Sequence, residues 1–299
     1  MGDFWAFENR TTITATLVMK TALSIGSQAS LLPTGSDLPV IKTPEGLPYI
    51  PGSSLKGVVR AYTERLLCTL DEMGLSYRDQ RLWACDPLDE RVRCVTATCG
   101  RECTSCERCE GDCCDDCRRC KRCMTQRAAQ DGHLNDEVLT QELFELSCTA
   151  CRLFGSPWLA SRVAFQDAML LNNEELLRRV EVRDGVGIDR DLGTAKPGIK
   201  YDFETVPSGA RFGVRIVVEN VEDWELGLLL LALEALVRGE IPLGGKTSRG
   251  LGWGELRDLR VERLRADQLL DWLTDRAQLE ALPPEELIRV FRSGLSQGE

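Results

Sequence analysis

The fold is most strongly constrained by residues 47–73, LPYIPGSSLKGVVRAYTERLLCTLDEM. Pro51-Gly52 ends a short apolar segment, and Ser53 or Ser54 is a residue type that caps helix N-termini. From Leu55 onward, apolar residues recur at helical spacing, so the pattern predicts a one-sided helix that ends near Met73. A serine-capped helix start presents backbone N–H groups and the positive end of the helix dipole, which suits a phosphate.

The segments around this helix predict an α+β fold. β-branched and apolar residues predict strands at 12–19, 162–170, 211–219 and 253–263, and an apolar helix is predicted at 222–238. The resulting order is strand, helix, strand, strand, helix, strand. This is the split βαβ pattern of a ferredoxin-like, RNA-recognition-type sheet.

The same pattern divides the chain into four parts. Residues 1–84 form the first part of the core, 85–152 a Cys-rich insertion, and 153–265 the remainder of the core. The last of these includes an excursion at 186–208 that is punctuated by Gly and Pro. Residues 266–299 form a polar helical extension, with helices expected at about 267–282 and 284–294.

Composition limits the function classes. The net charge of −10 disfavours indiscriminate attraction to nucleic acid, although it permits a local basic site. No apolar run approaches the roughly 20 residues that cross a bilayer, and the start of the chain lacks the pattern of a secretory signal. We therefore expect a cytoplasmic protein with no membrane partner.

The insertion is predicted to bind metal. Nine of the twenty-five residues from Cys99 to Cys123 are cysteine, mostly at C-x2-C spacing. In a reducing cytosol such thiols are metal ligands more often than disulfides, and two C-x2-C pairs complete a tetrahedral zinc shell. Cys94 is a further thiol that could complete a site. The predicted ligands are Cys99, Cys103, Cys106, Cys109, Cys113, Cys114, Cys117, Cys120, Cys123, His133, Cys148 and Cys151.

Two alternatives to zinc stay open. The spacing Cys103-x2-Cys106-x2-Cys109-x3-Cys113 matches that of bacterial iron–sulfur clusters, although Cys114 stands where such motifs have proline. A metal-free patch of reactive thiols is the second alternative.

Several ordered segments resemble one protein family. They are SDLPVIK (36–42), LPYIPGSSLKG (47–57), IDR (188–190), VPSG (206–209) and GGKTSRGLG (244–252). Together they resemble the RAMP superfamily, specifically the backbone subunits of type III CRISPR effector complexes. The turn Cys148-x2-Cys151-Arg-Leu-Phe-Gly is similar to the short metal-binding turn of some of these subunits. GGKT is not a nucleotide P-loop, because that motif requires Gly at 240, where Glu stands.

The resemblance implies a subunit that polymerises along a guide RNA, presents it to complementary target RNA and, in type III systems, cuts the target. The expected partners are the guide RNA, the target RNA and other effector subunits, including copies or paralogues of this chain. It also implies that 186–208 is a thumb hairpin, with Ile188 and Ile199 as an apolar wedge. The predicted RNA-binding residues are Ser53, Ser54, Lys56, Arg60, Arg190, Lys196, Lys200, Gly244, Gly245, Lys246, Ser248, Arg249 and Gly250.

The catalytic candidate is a carboxylate. His133 is the single histidine, so a mechanism that uses two imidazoles is excluded. Asp37 falls where the family places its cleaving aspartate, and with a divalent cation, Mg²⁺ or Mn²⁺, it could direct the target 2′-hydroxyl onto the adjacent phosphate. Asp189 is a weaker candidate. Alternatively, Asp37 only caps a turn in a non-cleaving structural subunit; an iron–sulfur redox protein on a ferredoxin-like sheet is a more remote alternative.

Overall fold

The computed structural model describes residues 6–26, 36–90, 92–97, 119–130, 133–274 and 279–297. It confirms a mixed α and β fold with antiparallel sheets. Two compact units make up the chain. Unit 1 comprises residues 1–59, 164–220 and 227–288, and unit 2 comprises residues 60–163, 221–226 and 289–299.

The helices and strands have the following bounds. The helices are α1 (Gly52–Glu72), α2 (Lys121–Ala128), α3 (Asp136–Leu146), α4 (Thr149–Phe154), α5 (Asp223–Val237), α6 (Leu269–Leu273) and α7 (Pro284–Ser293). The strands are β1 (Asn9–Met19), β2 (Tyr49–Ile50), β3 (Leu75–Tyr77), β4 (Gln80–Arg81), β5 (Ala129–Gln130), β6 (His133–Leu134), β7 (Val163–Phe165), β8 (Ala168–Leu170), β9 (Glu181–Ile188), β10 (Ala195–Thr205), β11 (Arg211–Glu219), β12 (Gly254–Arg265), β13 (Glu280–Ala281) and β14 (Leu295–Gln297).

The main sheet of unit 1 has the order β13-β12-β1-β11-β8-β2, and β7 also pairs with β11. Strand β1 lies in the centre, antiparallel to β11 from Arg10 to Val18 and to β12 from Asn9 to Met19. Its burial alternates, with Ile13 and Leu17 among the buried residues, as expected for a strand with one face on a core. The core strands predicted from sequence lie in this sheet, but the single strand predicted at 162–170 is divided into β7 and β8.

Helix α1 begins at Gly52 and not at the predicted serine cap. The Gly52 N–H donates to the carboxylate of Asp167 at 2.8 Å, so Ser53 and Ser54 lie inside the first turn. A Cβ at residue 52 would lie 2.2 Å from the carbonyl oxygen of Phe165, which explains why glycine occupies this position. A partner distant in sequence thus supplies the cap, and local patterns could not reveal it.

Strands β9 and β10 form an antiparallel hairpin that begins five residues earlier than the predicted excursion. Its register runs from Glu181 opposite Thr205 to Val186 opposite Lys200, and after an irregularity between Ala195 and Lys200 it ends with Ile188 opposite Ala195. Apolar side chains of the hairpin are exposed: Val182, Val186, Ile188, Leu192 and Ile199.

The C-terminal extension differs from the sequence prediction in its first half. The sequence predicts a single helix at 267–282. The structure instead has a 3₁₀ turn at Ala266–Gln268 and the short helix α6, and the last residues of this range form β13, which pairs with β12. Helix α7 confirms the second predicted helix. Within the described ranges, no helix combines the length and apolar character needed to span a bilayer.

Unit 2 contains the remaining small sheets, β14-β3-β4 and β5-β6, and helices α2 to α4. Tyr77 stacks on Trp224, with the ring centroids 4.7 Å apart, and also on Phe291. Arg162 and Glu225 form a buried ion pair whose side chains are each 5% exposed. Such a pair is costly to break, because removal of one partner leaves a buried charge without compensation.

Candidate metal centre and nucleic-acid surface

Four buried cysteines of unit 2 converge on one point. The Sγ atoms of Cys85, Cys94, Cys148 and Cys151 all lie within 4.8 Å of one another. The Cys85 sulfur is 3.6 Å from that of Cys148 and 3.7 Å from that of Cys151. A tetrahedron of thiolates at about 2.3 Å from a zinc ion has edges of about 3.8 Å, so the spacing fits a four-cysteine zinc site.

Helix α4 positions two of these thiols. Cys148 is its N-cap residue, and its sulfur accepts hydrogen bonds from the backbone N–H of Cys151 and of Cys85, each at 3.4 Å. A helix N-terminus stabilises negative charge, which favours the thiolate that a metal requires. The C-x2-C spacing places Cys151 one turn further, on the same side as Cys148.

The electrostatics of the cluster favour a bound cation. Hydrogen bonding from Cys148, followed by Cys151, lowers the pKa of Cys94, whereas hydrogen bonding with Cys148 raises the pKa of Cys151. Clustered thiols divide in this way because several anions cannot share one buried space without a compensating positive charge. A divalent ion would allow all four to ionise.

Arg60 lies beside this cluster. Its guanidinium donates to the Cys151 sulfur at 3.6 Å, to the Gly155 carbonyl oxygen at 3.0 Å and to Glu64 at 2.7 Å. Four thiolates and one Zn²⁺ carry a net charge of −2, which an adjacent guanidinium partly offsets. The sequence assigned Arg60 to RNA, and that assignment stays a prediction.

The other predicted ligands have different positions. Cys120 immediately precedes α2, and both Cys120 and Cys123 are buried outside the four-thiol cluster. His133 is exposed in β6. The residues Cys99, Cys103, Cys106, Cys109, Cys113, Cys114 and Cys117 lie outside the described residues.

Sequence reasoning missed Cys85. It belongs to no C-x2-C pair, and it approaches the other thiols only through the tertiary fold. The available signal was its position nine residues before Cys94, within the part of the chain assigned to the insertion.

Asp37 lies on a segment that runs alongside β10 of unit 1. Leu38 forms a parallel bridge with Phe203, and the Asp37 N–H donates to the Asp202 carboxylate at 2.7 Å. In return, the Asp37 carboxylate accepts the Asp202 N–H at 3.1 Å. Asp37 is exposed, so its carboxylate is accessible to a substrate.

The glycine-rich loop at 244–252 packs against the other face of the same strand. Lys246 lies 4.4 Å above the ring centroid of Phe203, and Arg249 donates to the Tyr201 hydroxyl at 2.5 Å. The Gly245 N–H donates to the Ser24 carbonyl oxygen at 2.7 Å, which anchors the loop. Successive residues of a strand point to opposite faces. Tyr201 and Phe203 therefore contact Arg249 and Lys246 on one face of β10, while Asp202 binds the Asp37 segment on the other.

The remaining predicted RNA-binding residues are distributed over several elements. Ser53 is exposed in the first turn of α1, with Ser54 and Lys56 partly buried. Arg190 and Lys196 are exposed at the hairpin, and Lys200 pairs with Asp184 at 3.1 Å. Within the glycine-rich loop, Gly244, Gly245, Ser248 and Gly250 are exposed as well.

The sequence of the chain matches a known protein family. A sequence model of the RAMP superfamily matches residues 12–255. The chain belongs to the RAMP superfamily. This RAMP protein is also similar to the CRISPR system Cms endoribonuclease Csm3 of Methanothermobacter thermautotrophicus (strain Delta H). The two are 26% identical over 258 residues, which cover 85% of this chain and 86% of the relative. The resemblance inferred from the ordered motifs is thereby confirmed.

Proposed function

We propose that this RAMP protein is a guide-RNA-binding backbone subunit of a type III CRISPR effector complex and that it cleaves complementary target RNA. The observation that carries the proposal is the similarity to a protein named as a CRISPR endoribonuclease, because the similarity covers most of both chains. The partners are the guide RNA, the target RNA and other effector subunits, including copies or paralogues of this chain.

The arrangement of unit 1 supports the finer assignments of fold. The neighbours β12, β1, β11 and β8 are antiparallel, and their order is that of a split βαβ sheet when α1 and α5 are the crossover helices. We assign the β9–β10 hairpin as the thumb. Its exposed Ile188 and Ile199 offer an apolar surface for bases, and Arg190, Lys196 and Lys200 offer cations for phosphates.

Cations held against strand β10 would attract the RNA phosphates. Lys246 and Arg249 bring positive charge to one face of β10, in a chain whose net charge is −10, so phosphate attraction is local. Helix α1 adds the hydroxyls of Ser53 and Ser54 and the ammonium group of Lys56 near its N-terminus, beside the Asp167 carboxylate that accepts the Gly52 N–H.

Asp37 is the assigned catalytic residue. Its exposed carboxylate would orient or deprotonate the target 2′-hydroxyl, whose oxygen forms a bond to the neighbouring phosphorus as the bond from that phosphorus to the 5′-oxygen breaks. The 5′-oxygen takes up a proton from solvent and leaves as a 5′-hydroxyl, and the other product keeps a cyclic phosphate. A divalent cation, Mg²⁺ or Mn²⁺, would supply charge stabilisation at the phosphate when bound.

The four-cysteine cluster has a structural role in this proposal. Cys85, Cys94, Cys148 and Cys151 would hold one Zn²⁺, since all four donors are sulfur and the cluster is buried. A closed set of four ligands leaves no open position for a substrate. Cys120 and Cys123, together with the run from Cys99 to Cys117, would contribute a second zinc site.

The experiment compares the wild-type effector complex with one that carries Asp37→Ala, using guide RNA and a labelled matched target. We expect wild-type cleavage to need a divalent ion and Asp37→Ala to bind target without cutting it. Asp189→Ala is assayed in parallel, because Asp189 is the alternative catalytic candidate, and it should cut at the wild-type rate if Asp37 is the catalytic residue. Cleavage retained in Asp37→Ala would remove the catalytic assignment.

A non-cleaving backbone subunit is the second candidate. It is favoured by the hydrogen bond between the Asp37 carboxylate and the Asp202 N–H, because this bond gives Asp37 a structural use that needs no catalysis. A wild-type complex that binds matched target and leaves it intact would support this candidate.

A further inference from the structure

The C-terminal half of β10 holds the Asp37 segment through two acidic side chains. The Asp202 carboxylate accepts the Ser36 hydroxyl at 3.0 Å and the Asp37 N–H at 2.7 Å, both through Oδ1. Two residues later, Glu204 accepts the Val40 N–H at 3.0 Å and pairs with Lys42 at 2.8 Å. Alternate residues of one strand therefore fix successive parts of the segment.

The two side chains have different targets. Glu204 reaches residues three and five positions beyond Asp37, whereas the Asp202 carboxylate accepts hydrogen bonds from Asp37 itself and from its neighbour Ser36. Asp202 and Asp37 also exchange bonds, because the Asp202 N–H donates to Oδ2 of Asp37 at 3.1 Å. The result is a reciprocal pair that fixes both the backbone and the side-chain direction of Asp37.

This pair constrains Asp37 without burying it. A hydrogen bond to Oδ2 sets the rotation of the carboxylate, and the residue remains exposed. Preorganisation of this kind matters for catalysis, because displacement of a reacting group by about 1 Å can cost on the order of 100-fold in rate.

We propose that Asp202 is a positioning residue for target cleavage, which acts by holding Asp37 in its reactive orientation. This inference rests on the proposed catalytic role of Asp37. Asp202 itself contacts neither substrate nor metal in the proposal, and its contribution is the geometry of the Ser36–Asp37 backbone.

The test uses the assembled effector complex with matched target RNA and measures single-turnover cleavage and target affinity separately. Asp202→Ala removes the acceptor, and we expect cleavage to slow about 10- to 100-fold while target affinity changes less than about twofold. Asp202→Asn keeps an oxygen that accepts the same two bonds, so we expect it to stay within about fivefold of the wild-type rate.

The matched control is Asp184→Ala. Asp184 lies opposite Asp202 in the same hairpin and pairs with Lys200, so its removal changes the charge of the hairpin by the same amount. We expect wild-type cleavage from this variant. If Asp202→Ala proves unstable in a thermal-unfolding scan, Asp202→Ser, whose hydroxyl lies one atom closer to the backbone, is expected to show the same loss of rate.

Two outcomes would overturn the proposal. Wild-type rates in Asp202→Ala, or in its serine replacement, would show that Asp37 needs no such support. Equal loss in Asp202→Asn and Asp202→Ala would show that the charge of Asp202 acts, and not its hydrogen bonds. Asp37→Ala is assayed in parallel: if it still cuts, the catalytic assignment of Asp37 fails, whereas inactive Asp37→Ala with active Asp202→Ala refutes only the positioning role.

Discussion

Replacement of Cys85 by serine should remove the metal from the four-cysteine cluster and destabilise unit 2. Cys85 is the cluster residue that no sequence motif identified, yet its sulfur lies within 3.7 Å of two of the other three sulfurs. A serine hydroxyl is a poor substitute, because zinc at such sites is held by thiolates and the hydroxyl stays protonated near neutral pH.

The magnitude follows from ligand binding linked to folding. A ligand present at 1,000 times its Kd stabilises the native state by about 4 kcal/mol, and structural zinc binds at least this tightly at ordinary concentrations. A loss of about 4 kcal/mol lowers the Tm of a domain of about 100 to 150 residues by roughly 15 °C. It is also a large part of the total stability of a typical domain, about 5–15 kcal/mol.

The assay combines metal analysis with thermal unfolding. Cys85→Ser should lose one equivalent of zinc and unfold about 15 °C lower, and a chelator should lower its Tm by less than it lowers that of the wild type. Cys68→Ser is the control, since Cys68 is an exposed thiol outside the cluster, and it should match the wild type. Full zinc content in Cys85→Ser, or a brown preparation that contains iron, would refute the assignment.

The remaining predictions concern RNA binding, the surroundings of the cluster and the glycine-rich loop. Lys246→Ala and Arg249→Ala should each weaken guide-RNA binding regardless of sequence and reduce the salt slope by about 0.7 in a filter-binding titration; unchanged slopes would contradict the proposed groove. Arg60→Met removes a donor to a cluster thiolate, so zinc transfer to a competing chelator should show about 10-fold weaker retention; normal retention with weaker RNA binding would instead support the sequence assignment. Gly252→Ala should lower the free energy of unfolding by about 2–4 kcal/mol in a denaturant titration, because the φ of residue 252 is +81° and the new Cβ would lie 1.9 Å from the Leu243 carbonyl oxygen. Wild-type stability would show that the loop relaxes freely.

The parts of the fold with strong local periodicity could be predicted from sequence. Strand β1, helix α1 and helix α7 have bounds close to the expected ones, because alternation or helical spacing of apolar residues is a local property. The N-terminal cap of α1 could not be predicted, since it is supplied by Asp167, 115 positions away. The sequence prediction of an excursion at 186–208 starts five residues after β9 does, because the exposed apolar residues of the hairpin lack a one-sided burial pattern.

The candidate sites show the same division. Cys148 and Cys151 were identifiable because a C-x2-C pair binds metal from one turn of chain, whereas Cys85 and Cys94 are brought to them by folding. Asp37 was named through the resemblance of its segment to the RAMP superfamily. Its partner Asp202 gives no local signal, since the two are 165 positions apart.

The sequence by itself determined the mixed α and β class, the superfamily, the presence of a thiol-rich insertion and the absence of a histidine pair. These follow from residue type, spacing and motif order, which are read along the chain. The tertiary structure decided which four cysteines meet, that Arg60 contacts one of their sulfurs, and that β10 holds Asp37 on one face and the cations Lys246 and Arg249 on the other. Such pairings depend on which distant segments the buried core brings together. The free energy that brings them together comes from burial of apolar surface, which is non-directional, so a local sequence pattern does not specify the partners.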